Sequence, residues 1–448
     1  MTSEDHQLPL TTRILYASGS LGSQVLTQTL TVWVFFFYAA EGAEDRDPLG
    51  PVLWVGFALV AGRVVDAVTD PIIGYISDIT RSRWGRRGPY ILAGGPFMAL
   101  AFVMLWFPPA ADGSSWVNVA WLAGVLQLYF LGVTVVGAPY TGIFPELAVG
   151  ARDRVSISAW QLVFGLVGAG IALIATGPII DLVGFGAMGV LIAVIGLLPR
   201  YIGLWGVRGK LHYRPPRVTR AESLPALVRA LRSMLRNRSF LVLVGSLVCF
   251  QGAQLMLTQA VPFFVVEILG HSAGMQAPVT ASFFVAAMLM IPVIVRSTYR
   301  FGKRHVYGAC LLGGALTLPL LFFAGFLPAI PELVQVVVII ALIGFPLSGA
   351  FILPDTLLAD VVDEDSSRTE TRYEAMFFSS RATLEKLGQA LATGLFSVLL
   401  ALFGATAAEP LGVRLIGPVS AVLMLVGWAL FFAWYRVPEQ PARMPADA

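Results

Sequence analysis

Arg63, Asp66 and Asp70 stand inside an apolar run, at positions i, i+3 and i+7. That spacing places one guanidinium and two carboxylates on one face of a helix. Two neighbouring carboxylates with hydroxyl oxygens in reach form the hard-oxygen cage that holds Na⁺ or shares a proton. A buried Arg–Asp pair that only ties helices together is the competing reading. Pro71 follows Asp70 directly and removes a helical donor, so the backbone there can bend. A second charged set, Arg381, Glu385 and Lys386, lies in a later apolar run, with Lys386 the deepest of the three.

Other chemistries find no support. Gly270-His271-Ser272-Ala273-Gly274 fits G-x-S-x-G, but it falls in a short loop and lacks the strand–turn–helix context of a hydrolase nucleophile. The four histidines, His6, His212, His271 and His305, lie in loops or at the ends of runs and form no H-E-x-x-H. Cys249 and Cys310 have no metal-ligand spacing and read as small apolar side chains. No phosphate-binding loop supports an ATP-driven pump. The expectation is a protein that is not an enzyme and needs no cofactor beyond a coupling ion, Na⁺ or H⁺.

The elements that carry these charges follow from composition. Of 448 residues, 57% are hydrophobic and 13% charged, and the mean hydropathy is +0.77. Soluble domains carry about 25% charged residues, so this chain reads as a membrane protein. A bilayer-crossing helix needs about 20 mostly apolar residues. Twelve runs qualify, at 14–40, 49–78, 89–108, 115–145, 155–183, 185–207, 238–268, 276–297, 305–327, 331–358, 371–404 and 412–436. The expected fold class is therefore all-α, with twelve transmembrane helices. One long break, 208–237, divides an N-terminal six-helix bundle (1–207) from a C-terminal bundle and tail (238–448). Within the break, 223–236 has the pattern of an amphipathic basic helix on the cytoplasmic membrane face, or of a solvated linker helix. The N-terminus lacks the pattern of a cleaved signal peptide.

Twenty-four of the thirty lysines and arginines fall on the side of the membrane that holds the N-terminus and the 208–237 break, and two, Arg46 and Arg414, on the other. The positive-inside rule then puts both termini in the cytoplasm of a multi-pass cell (inner) membrane protein. The net charge of +3 points to no nucleic-acid partner.

The loop after the second run reads Arg83-Trp84-Gly85-Arg86-Arg87, and that after the eighth reads Arg300-Phe301-Gly302-Lys303-Arg304. Their offset of 217 residues is close to half the chain. Two pseudo-symmetric six-helix bundles in parallel are the mark of the major facilitator fold, with a substrate path between the halves. These basic loops and the acidic run with Asp360 and Asp363 are expected to pair across the halves as a cytoplasmic gate.

The stretch from Asp66 through Asp70-Pro71, Gly74 and Asp78 to Arg83-Trp84-Gly85-Arg86-Arg87 closely resembles the glycoside–pentoside–hexuronide:cation symporter family, the melibiose permease branch of the major facilitator superfamily. So do Pro139-Tyr140, Pro145-Glu146, Ser158-Ala159-Trp160, Asp360 with Asp363, and Lys386-Leu387-Gly388-Gln389. The resemblance runs over nearly the whole chain. It implies that Asp66 and Asp70 bind the coupling cation, with Thr69 and Thr134 at positions where the melibiose permease has an asparagine and a threonine ligand. Lys386 matches the family's lysine near the cation and sugar sites, Arg63 matches the arginine of its second span, and Tyr140 belongs to the pocket side. Where that permease has sugar-binding charges, this chain carries Gln24, Gly137 and Gln161.

Loss of those charges argues against melibiose itself. The expected activity is cation-coupled symport of a sugar or glycoside by alternating access, the protein working as a monomer in the bilayer on a small-molecule substrate. Symport of a lysophospholipid or other amphiphile is the alternative, and a non-transporting membrane sensor is a second one.

Overall fold

The computed structural model describes residues 8–41, 47–80, 87–110, 113–148, 150–208, 237–369 and 374–437. Regular structure among them is helical throughout. In chain order the helices are α1 (Leu10–Ala17), α2 (Gly19–Ala39), α3 (Val52–Ile79), α4 (Gly88–Met104), α5 (Trp116–Leu147), α6 (Ala151–Gly170) and α7 (Thr176–Gly206). There follow α8 (Arg238–Pro262), α9 (Gln276–Phe301), α10 (Lys303–Thr317), α11 (Glu332–Thr369), α12 (Glu374–Phe403) and α13 (Leu411–Trp434). Each of the twelve apolar runs coincides with helical structure. Nine helical stretches among the described residues are long and apolar enough to cross a membrane, one of them the 55-residue Arg152–Gly206. That stretch holds two runs. Gly184 breaks it with φ 75°, a left-handed conformation that glycine adopts without strain, at the seam expected between 155–183 and 185–207.

Two compact units divide the chain, one of Met1–Arg217 with Ser272–Ala277, the other of Val218–His271 with Pro278–Ala448. The boundary falls within the 208–237 break. The short segment Ser272–Ala277 counts with the first unit, where the Gly274 amide donates to Asp181 Oδ2 at 2.8 Å. It holds most of the G-x-S-x-G match. The expected amphipathic helix at 223–236 lies outside the described residues.

In the first unit, α5 packs against α3 and α4, while α2 packs against α6 and α7. The aromatic run Trp33 to Tyr38 on α2 is buried on all sides. Trp33 Nε1 donates to Thr176 Oγ1 at 2.7 Å, so the one polar atom of that ring is satisfied. Gly22 lets α2 come so close to the Gly196 carbonyl of α7 that a side chain would collide with the backbone. Arg200 on α7 is buried, donating from Nη2 to Ser23 Oγ at 2.8 Å and from Nη1 to Met98 Sδ at 2.9 Å. In the second unit, α8 packs against α12 and α13, and α10 against α11 and α13. Outward faces such as that of Leu162, Val163, Leu166 and Val167 are exposed, as suits contact with hydrocarbon.

Candidate functional site

α3 and α5 cross so that the face carrying Arg63, Asp66 and Asp70 meets Phe130 and Thr134, one turn apart on α5. The Arg63 guanidinium lies 5.3 Å over the Phe130 ring, and its Nη2 donates to Thr31 Oγ1 on α2 at 3.4 Å. Gly62 permits the approach, since a Cβ there would meet the Phe130 ring at 2.7 Å. Asp66 is buried, only 4% exposed, and Asp70 is half-buried.

Thr134 is the hub. Its hydroxyl oxygen, 1% exposed on the residue scale, lies 3.3 Å from Asp66 Oδ1, 3.0 Å from Asp70 Oδ1 and 3.2 Å from Thr69 Oγ1. Thr69 also donates to the Val65 carbonyl at 2.9 Å. A threonine hydroxyl has one hydrogen. Thr134 therefore serves one carboxylate at a time, while two carboxylates and two hydroxyls converge on the same few ångströms. Such an oxygen-rich cluster is the donor set that a small hard cation prefers. The four residues named for a cation site, Asp66, Thr69, Asp70 and Thr134, are thus brought together.

The remaining candidates are placed as follows. Gly137, one turn beyond Thr134, faces open space. Gln24 is exposed on α2, near Gly165, and Gln161 is half-buried on α6. Tyr140 lies on α5. It is buried, stacks on Tyr16 at 5.0 Å between centroids, and exchanges hydrogen bonds with it: Tyr140 Oη donates to the Tyr16 carbonyl at 2.6 Å and Tyr16 Oη to the Tyr140 carbonyl at 2.9 Å. Lys386 is half-buried on α12 of the second unit.

Of the expected gate, Arg83, Gly85 and Arg86 lie outside the described residues. Arg87 pairs with Glu146 of its own unit at 3.1 Å. In the second unit, Lys303 holds Asp360 with both oxygens, at 2.7 and 2.8 Å. Arg300 lies over the Phe301 ring, and Arg304 donates to the Phe432 carbonyl at 2.9 Å. Asp363 is exposed at the end of α11. Arg87 and Lys303 are thus each paired within their own unit.

Sequence reasoning passed over Asp355. It lies on α11 and forms an ion pair with Arg381 of α12, whose Nε also binds Glu385 Oε1 at 2.6 Å. Its signal was an acidic residue next to a proline, Pro354, within an apolar run, the mirror of Asp70-Pro71. Among the described residues no group of three or more His, Cys, Asp or Glu is placed to hold a metal ion, so the candidate cation site depends on threonine oxygens as well as carboxylates.

Two units of membrane-crossing helices, with a convergent oxygen cluster on the second span, define a secondary membrane transporter. A family model described as MFS/sugar transport protein matches residues 15–437, and the chain belongs to that family. It is similar to an uncharacterized symporter of Synechocystis sp., 26% identical over 96% of this chain and 92% of that one. It is likewise similar to the sodium-dependent lysophosphatidylcholine symporter 1 of Xenopus tropicalis (21% identical, 100% and 91% covered) and to the isoprimeverose transporter of Lactiplantibacillus pentosus (23%, 99% and 92%). The solved structure of the nucleoside transporter NupG shares the fold, with a TM-score of 0.65 over 95% of this chain and 99% of that one at 14% identity. The chain is a multi-pass membrane symporter with the major facilitator fold, handling a small molecule and catalysing no reaction.

Proposed function

We propose that symport is driven by Na⁺ or H⁺ bound between Asp66, Asp70, Thr69 and Thr134, and that the co-transported substrate is a sugar or glycoside. The observation that carries this reading is the single Thr134 hydroxyl facing two carboxylates on the neighbouring helix. A cation seated there is shared by oxygens from both helices at once. Release of the ion leaves two anionic groups in a membrane-crossing helix, an arrangement that costs several kcal/mol. The site's occupancy can therefore bias the alternating-access equilibrium, as coupling requires. Arg63 offsets part of that charge in both states. Positive-inside sorting supports a cell (inner) membrane protein with both termini cytoplasmic, and the protein is proposed to act as a monomer.

An amphiphile such as a lysophospholipid is the second reading. It is favoured by Gln24, Gly137 and Gln161 where charged sugar ligands were expected, and by the open space beyond Gly137. Uptake into proteoliposomes under imposed Na⁺ or H⁺ gradients, with labelled glycosides and labelled lysolipids, tests both. Uptake indifferent to either gradient sinks the coupling reading. Transport of neither substrate class sinks the assignment of substrate.

A further inference from the structure

Arg200 of α7 is a buried cation that the proposed cation site leaves unexplained. It is 3% exposed and lies inside the first unit. Both acceptors that it binds are neutral, Ser23 Oγ on α2 at 2.8 Å and Met98 Sδ on α4 at 2.9 Å. Its Nε has no acceptor. Among the described residues no carboxylate lies within ion-pair distance of it. Arg13 and Arg87 of the same unit do have such partners, Asp153 and Glu146, each at 3.1 Å. A guanidinium keeps its charge in any protein environment, and a buried one is costly unless negative charge is in reach.

Two contacts carry Arg200 toward the carboxylates of α3. Tyr129 of α5, buried, has its hydroxyl in electrostatic reach of Arg200, Arg63 and Asp66 alike. Met98, which Arg200 holds, packs its backbone on Gly132 of α5, where a Cβ would meet Met98 Cα at 2.9 Å. Thr134, the hub of the oxygen cluster, is two residues further on. Charges in such an interior are poorly screened, so they act on one another beyond contact distance.

We propose that Arg200 is a standing countercharge for the cation site. It stabilises the two carboxylates of α3 when the site is empty and disfavours the bound cation, so the ion is held loosely enough to leave. This rests on the cation-coupled reading. Arg200 touches no ion and acts through its field. An arginine that only tied α7 to α2 and α4 would lower stability on removal and leave ion affinity unchanged or weaker. A countercharge gives the opposite sign, because its removal tightens ion binding.

Full-length protein in lipid nanodiscs is titrated with Na⁺ at fixed ionic strength and read by its thermal midpoint, and the pH of half-maximal uptake is measured in Na⁺-free proteoliposomes. For Arg200→Gln the half-maximal Na⁺ concentration is expected to fall about fivefold. Where the coupling ion is a proton, the half-maximal pH rises by about 0.7 instead. Maximal uptake falls in either case, because release slows. Arg200→Lys keeps the charge and stays within about twofold of wild type. If Arg200→Gln fails to fold, Ser23→Asp sets a carboxylate against Nη2 and is expected to tighten ion binding in its place. An unchanged or weakened ion response in the variant tested overturns the proposal, as does a tightening that Arg200→Lys reproduces in full. Asp66→Asn is run in parallel. A wild-type response in that variant, or a wild type that answers to neither ion, refutes the cation site itself. A response that needs Asp66 but ignores Arg200 refutes the countercharge alone.

Discussion

The second helix of each unit makes an instructive pair. Shifted by the 217 residues that separate the two basic loops, Arg63, Asp66, Thr69 and Asp70 of α3 fall on Thr280, Phe283, Ala286 and Ala287 of α9. Thr134 falls on Phe351. The cluster of two carboxylates and two hydroxyls in one unit thus has, as its counterpart in the other, two phenylalanine rings in contact and two alanines. Scaffold features recur in both units: a basic residue of each repeated loop is tied to an acidic residue near the end of a later helix, Arg87 to Glu146 and Lys303 to Asp360. Repetition preserves what holds the helices in place, and the chemistry differs between halves. Charge sits only where a membrane protein has use for it, because each intramembrane carboxylate carries a cost on the order of 3 kcal/mol.

The sharpest way to break this contrast is to make α3 resemble α9. Asp66→Asn and Asp70→Asn are each expected to lower cation-coupled uptake by at least a hundredfold while the protein still extracts and folds. Asparagine keeps the shape and removes the charge. Retention of full Na⁺- or H⁺-stimulated uptake in both variants would make the pair structural. Thr134→Val comes next. It keeps the volume, removes the hub oxygen, and is expected to weaken the apparent cation affinity about tenfold. This is on the scale of losing one hydrogen-bonding group from a charged site, about 1.5–3 kcal/mol. Measuring uptake against Na⁺ concentration and against pH checks it, and an unchanged half-saturation point would remove Thr134 from the site.

The positions of these residues were partly legible in advance. Arg63, Asp66 and Asp70 announce themselves by spacing alone, since polar residues at i, i+3 and i+7 of an apolar run share a face. Thr69 and Thr134 do not, because threonine is common in membrane helices, and only the resemblance picked them out. The Gly184 break was readable as the seam between two runs in a stretch with little polar punctuation. Asp355 was missed for a physical reason. Its partner, Arg381, lies on another helix, and helical periodicity reports neighbours on one helix only. Tyr140 is less legible: a tyrosine beside a proline in a membrane helix suits either a pocket or a buried pair, and its stacking on Tyr16 is tertiary packing that helical periodicity does not report.

The scaffold side of the comparison gives a smaller effect. Arg87 and Glu146 have side chains 10% and 18% exposed, against 25% and 23% for Lys303 and Asp360. Removing one partner of an ion pair costs more as the other is left further from water. Arg87→Ala is therefore expected to lower the thermal midpoint in detergent by more than Lys303→Ala, with free-energy costs of about 3 and about 1 kcal/mol respectively. Raising the salt concentration should narrow the deficit of the more exposed Lys303 variant first. Equal deficits, insensitive to salt, would mean that the two loops are held by something other than these pairs.

The smallest expected effect is that of Tyr140→Phe, and it separates packing from transport. The substitution deletes one hydrogen bond, from Tyr140 Oη to the Tyr16 carbonyl, and leaves the stacked rings and the reciprocal bond from Tyr16 intact. A net hydrogen bond is worth about 1 kcal/mol, and a buried acceptor left unpaired adds to that. A fall of about 1–2 kcal/mol in stability is expected, read as a few degrees in the thermal midpoint, with the half-saturation constants for cation and substrate unchanged. The same oxygen lies against Gly19 and Gly203, where a Cβ would strike it, so the hydroxyl fits a slot shaped by glycines on α2 and α7. If substrate affinity moved while stability did not, Tyr140 would belong to the pocket after all. The chemical face would then extend along α5 from Thr134 to Tyr140.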